Sequence, residues 1–173
     1  MELLSQVVIA ILGGSLALTG VFLANKLAEH STEKRNQQQM LRGNGEELYS
    51  LISKWSTLVF TKHLALYSVM RGELTYNEHL DIHNNSEGME GVDPHRMELL
   101  IYAYFPKLIS QYKLTRLALE KHNIIVNDHK NAYKQNDDGY SFIEPFQRAQ
   151  IKFEQESDAL KEGIIEQLSA INN

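Results

Sequence analysis

Leu3 to Leu23 reads LLSQVVIAILGGSLALTGVFL, a run of 21 residues with no charge and with Gln6 as its one strongly polar side chain. At about 1.5 Å per residue a helix of this length spans about 31 Å, which matches the hydrocarbon core of a bilayer. A helix buried in a protein core rarely runs so far without a charged residue, so the stretch predicts a single transmembrane helix. Only Glu2 precedes it among charged residues, so the basic n-region of a cleavable signal peptide is missing. No small-residue cleavage site follows either, and the run reads as a retained anchor.

The flanking charges give an orientation. Lys26, Lys34, Arg35 and Arg42 follow the run, whereas no Lys or Arg precedes it. The positive-inside rule then places the C-terminal part in the cytoplasm and the short N-terminus outside. Along the run and just past it, Ala10, Gly13, Ala17, Gly20 and Ala24 recur at spacings of three and four and share one helix face, which Gly14 widens. Small side chains let two helix backbones approach closely in lipid, so this stripe fits helix–helix association in the membrane. Gly and Ala are also common in membrane helices for no such reason.

After Ala24 the composition changes abruptly. Residues 25–42 read NKLAEHSTEKRNQQQMLR, thin in apolar residues and free of proline, as a solvated helical stalk or a flexible tether would be. Gly43-Asn44-Gly45 is the first strong helix breaker, since each glycine weakens a helix by about 1 kcal/mol relative to alanine. Three parts follow: an anchor over 1–24, a polar stalk or linker over 25–44, and a folded domain over 45–173.

The domain is periodic at helical spacing. Leu48, Ile52, Trp55, Val59, Leu66 and Met70 form one stripe, widened by Leu51 and Leu58 and interrupted by Lys62 and His63. Gly72 ends it, and Trp55 reads as a core anchor. Thr75 and Glu78 form a capping box for a short helix that fades into the polar loop HNNSEGMEG, residues 83–91. Asp93-Pro94 opens the next helix as N-cap and first helical residue. Pro106 disfavours a helical Phe105 and predicts a kink or restart before the pattern resumes to about Tyr133. Asn136-Asp137-Asp138-Gly139 is a turn. Ser141 and Glu144 form a second capping box, and the last helix carries Phe146, Ala149, Phe153, Leu160, Ile164, Leu168 and Ile171 on one side. Nothing alternates as a β-strand does; Ile124-Ile125-Val126 is too short. The expected class is all-α: a single-pass transmembrane helix followed by a small antiparallel helical bundle.

Composition narrows function more than it names it. A hydrophobic fraction of 43% and a charged fraction of 23% suit a folded chain, and neither suggests intrinsic disorder. A net charge of −5 argues against a protein that holds nucleic acid, because phosphate neutralisation needs a basic surface. With no cysteine, disulfides, thiolate metal sites and thiol catalysis are excluded.

The remaining candidates for chemistry are few. His79 and His83 stand four apart in EHLDIH and would share a helix face, with Glu78 or Asp81 near. Leu80 stands where a metalloprotease would carry its catalytic glutamate, so two surface histidines explain the pattern more cheaply than a metal. Asp137, Asp138 and Glu144 bracket Gly139 but do not match a calcium loop. His122 and His129 lie seven apart on one helix and share a face, without an evident partner. Tyr102, Tyr104, Phe105 and Tyr112 surround Pro106 and read as core, with a partner groove as the alternative. No Walker, dinucleotide-binding or serine-hydrolase string occurs. The expected function is therefore a membrane-anchored interaction module without catalysis or cofactor. It would engage the lipid bilayer and a cytoplasmic protein partner or itself, with no nucleic acid and no small-molecule substrate. Two alternatives are an oligomeric effector that perturbs the bilayer and an outward-facing spacer of a lysis-type complex.

Overall fold

A computed structural model describes the backbone of residues 2–85, 92–137 and 139–171, and their side chains except those of 2–20, 22, 23 and 83–85. All regular structure among the described residues is helical: α1 (Glu2–Met70), α2 (Tyr76–Asn85), α3 (Pro94–Tyr104), α4 (Ile109–Tyr133) and α5 (Ile143–Ile171), with 3-10 turns at Pro106–Leu108 and Tyr140–Phe142. The chain divides into two compact units, Met1–Leu41 and Arg42–Asn173.

In the first unit, the described side chains from Ala24 to Gln37 are exposed. Among the described residues no helix is long and apolar enough to cross a membrane. The side chains of Leu3–Gly20, Phe22 and Leu23, on which the anchor expectation falls, lie outside the described residues.

In the second unit, α5 runs antiparallel to both α1 and α4. Trp55 meets Phe153 edge-on at 5.5 Å, Tyr67 accepts a hydrogen bond from Gln147 at 2.8 Å, and Gln111 Nε2 donates to the Glu156 backbone carbonyl at 3.1 Å. The expected break at Gly43-Asn44-Gly45 is absent, because α1 is helical through all three residues. Packing overrides the local penalty. A Cβ on Gly45 would stand 2.5 Å from Leu168 Cδ2, so the bare backbone there is what lets α5 close against α1.

The helix ends follow their local chemistry. The Thr75–Glu78 box forms reciprocally: Thr75 N–H donates to Glu78 Oε2 at 2.7 Å, and Glu78 N–H to Thr75 Oγ1 at 3.2 Å. Asp93 caps α3 by accepting from Arg96 N–H at 3.0 Å, with Pro94 behind it. Phe105 leaves the helix at φ −127°, ψ 54°, and α4 restarts after the turn that Pro106 opens. Gly72, at φ +70°, closes α1 with Glu73 N–H returning to Ser68 O at 2.9 Å. The second capping box does not form. Ser141 lies inside the 3-10 turn, α5 starts two residues later at Ile143, and Glu144 pairs instead with Arg148 at 3.3 Å.

Among the described residues, buried apolar side chains fall into two clusters. The larger joins Leu48, Ile52 and Trp55 to Leu100, Phe105 and Leu108 of the α3–Pro106 corner and to Phe153, Leu160 and Ile164 of α5. Arg96 straps α3 across it with a two-pronged ion pair to Glu47, both contacts 2.7 Å, half-exposed and so a weak contributor. The smaller cluster joins Leu66, Val69 and Met70 to Phe146, with Leu74, Ile125, Val126 and Phe142 packed against it.

Candidate functional site

Beside the smaller cluster, four imidazoles are buried among the described residues: His63, His79, His122 and His129. His63 stands four residues after Val59 and three before Leu66, so it occupies a core position of the α1 stripe and does not interrupt it. On α4 the buried residues Tyr112, Thr115, Ala118, His122 and His129 form the inward stripe. The two stripes bring His63 and His122 face to face, with ring centroids 3.6 Å apart and planes 16° off parallel. Phe146 of α5 abuts both rings edge-on, at 5.7 and 4.4 Å.

The protonation pattern of His63 follows from its neighbours. Gln150 donates its amide N–H to Glu154 Oε1 at 2.6 Å, which turns its carbonyl oxygen toward His63. His63 Nδ1 lies 2.6 Å from that oxygen and donates to it, which leaves Nε2 with the lone pair in the neutral ring. Neither ring nitrogen of His122 has a hydrogen-bond partner among the described residues, and the same is true of His129. A buried polar atom without such a partner costs about 1–3 kcal/mol, so these rings weaken the core they fill. Burial holds His63 down to about 4, against the Gln150 hydrogen bond that favours its charged form. Burial, and then the nearness of His63, holds His122 down to about 3. His129 is also lowered by burial, opposed by the Asp137 carboxylate.

Concavities between described residues open on the bundle, among them the following two. A groove of about 120 Å³ between α1 and α5 is lined by Phe60, His63, Leu64, Tyr67, Phe146 and Gln150. Phe60 and Leu64 remain 45% and 54% exposed at its edge, large apolar side chains left in water. A wider one, about 560 Å³, lies over Trp55, Met97, Tyr112 and Leu119 with Arg116 and Glu120 at its rim. Its cation is already engaged, since Arg116 reaches Glu98 at 3.0 Å and the Tyr112 hydroxyl at 3.2 Å.

The residues singled out in the sequence are distributed as follows. His79 is buried against Tyr76, with centroids 5.5 Å apart, while the side chain of His83 lies outside the described residues. Among the described residues no three His, Asp or Glu side chains are grouped as metal ligands would be. Asp137 serves its turn, its carboxylate accepting from Gly139 N–H at 2.8 Å; Asp138 lies outside the described residues. His122 and His129 share a face as expected, yet meet different neighbours, His129 packing on Phe142 at 5.5 Å. Phe105 and Tyr112 are core, Tyr104 is half-buried and Tyr102 is exposed. Ala10, Gly13, Ala17 and Gly20 are helical with side chains outside the described residues, and Ala24 is exposed. The sequence reading missed His63, although its spacing from Val59 and Leu66 carried the signal. No known protein family, curated protein or solved structure matches the chain.

Proposed function

We propose that the protein is a membrane-anchored helical interaction module, with its C-terminal bundle on the cytoplasmic side. The observation that carries the reading is the uncharged Leu3–Leu23 run, followed by Lys26, Lys34, Arg35 and Arg42. The groove beside His63, edged by Phe60 and Leu64 exposed one turn apart on α1, supports a protein partner, because neighbouring exposed apolar side chains along a concavity mark interaction surfaces. The test fuses, after Asn173, reporters active only in the cytoplasm or only outside it. The expected result is a membrane-bound protein with signal from the cytoplasmic reporter alone. A protein released by washing the membranes overturns the anchor, and signal from the external reporter overturns the orientation in favour of an outward-facing spacer.

A second reading, an effector that oligomerises in the bilayer, rests on the stripe Ala10, Gly13, Ala17, Gly20 and Ala24. Under it, replacing Gly13 and Ala17 together with leucine abolishes crosslinked oligomers and any toxicity on overexpression. Toxicity that survives the change removes the stripe as its cause.

A further inference from the structure

The two ends of the bundle are unequally equipped to withstand acid. In the larger cluster the buried titratable side chain is Tyr112, which no mild acid affects. The buried imidazoles are gathered toward the other end: the His63–His122 stack, His129 fully buried on α4, and His79 on α2. We propose that protonation of the stacked His63–His122 pair unfastens the end of the bundle built on Leu66, Val69, Met70 and Phe146 while the Trp55–Phe153 end stays closed. The inference goes beyond the anchoring reading and does not depend on it.

The geometry leaves little room for charge. A first proton goes to His63 Nε2, since Nδ1 already donates to Gln150. A proton on His122 would bring two cations within a ring-stacking distance of 3.6 Å. Across the stack, α5 presents Phe146 and Gln150 with Glu154 behind it, and α1 presents Tyr67 at the adjoining groove. Around His129 stand Tyr133 on its own helix, Phe142 and Asp137 beyond it, while His79 faces Tyr76. Among the described residues, the carboxylates placed toward the His63, His122 and His129 rings are Glu154, reached through an amide, and Asp137. Burial outweighs both.

Above the ordinary imidazole value of 6.5 the rings are neutral whether this end is closed or open, and pH has no effect on the balance. Below it, the open form, with its rings in water, takes up protons that the closed form refuses. Stability is therefore complete above about pH 6.5 and is lost as pH falls toward the depressed values of about 4 and about 3. At about pH 5.5 each ring favours opening roughly tenfold, and the pair about a hundredfold.

Hydrogen exchange on the full chain at about pH 7.5 and about pH 5.5, corrected for the intrinsic pH dependence of exchange, tests this. The expected result is at least a loss of about a hundredfold in protection, the pair's share to which His129 adds, for amides around His63–Met70 and His122–His129, with those around Leu48–Trp55 and Phe153–Ile164 unchanged. His122→Phe should reduce that loss by a factor of about ten. Equal loss at both ends, or none at either, overturns the proposal. If the variant does not fold, an NMR titration of the native imidazoles decides: rings neutral at about pH 5.5 in the closed protein support it, and rings titrating near their ordinary value overturn it.

Discussion

Replacing Phe153 with alanine is expected to lower the stability of the bundle by about 3–5 kcal/mol, measured as the shift in urea midpoint at unchanged slope. Phe153 is 1% exposed and receives the Trp55 ring edge-on at 5.5 Å, so truncation leaves a cavity between α1 and α5 that neither helix can fill alone. A domain of this size is stable by about 5–15 kcal/mol, so the variant stands near the edge of folding. A loss under about 1 kcal/mol would mean that the α1–α5 contact is not where the stability resides.

Gly139→Ala is the second large effect, and Gly72→Ala is its control. Both glycines sit in the left-handed region, at φ +79° and +70°, where a side chain costs about 1–2 kcal/mol. At Gly72 nothing stands within 4 Å of an added Cβ, so the variant should lose only that much. At Gly139 the new carbon would lie 2.8 Å from His129 Nε2 and 3.5 Å from Met70 Cα. His129 is fully buried and cannot swing aside freely. The overpacking adds about 1–3 kcal/mol, for a total of about 2–5 kcal/mol. Equal losses in the two variants would show that the turn after α4 does not press on His129.

Which features could be read from the sequence depended on the range of the forces behind them. Capping at Thr75, Glu78 and Asp93 and the restart at Pro106 involve groups within a few residues of one another, and the string of letters contains the whole interaction. The stripes of α1, α4 and α5 are equally local, since helical spacing alone places Trp55, Tyr112 and Phe153 inward. Gly45 was misread because the propensity of a glycine is local, whereas its compensation, the close approach of Leu168, comes from more than a hundred residues away. Ser141 was misread for the opposite reason: a left-handed Gly139 supplied a different start to α5 than the box suggested. The imidazole stack stayed hidden because histidine counts as polar when helical stripes are traced. His63 therefore looked like a gap at the very position where the stripe continued.

The hydrogen bonds midway along the bundle fix its alignment. Gln111 and Thr115 both engage the backbone carbonyl of Glu156, at 3.1 and 3.0 Å, and Gln150 engages His63 at 2.6 Å. Apolar side chains alone would tolerate α5 sliding along its neighbours by one turn, about 5.4 Å, with leucine and isoleucine exchanging places. The same slide would pull α5 away from α1 and α4 at these polar contacts together, breaking the part-buried hydrogen bonds of Gln111 and His63 at once. The polar contacts thus act as a vernier on the helices, selecting one sliding position among several that greasy packing would accept.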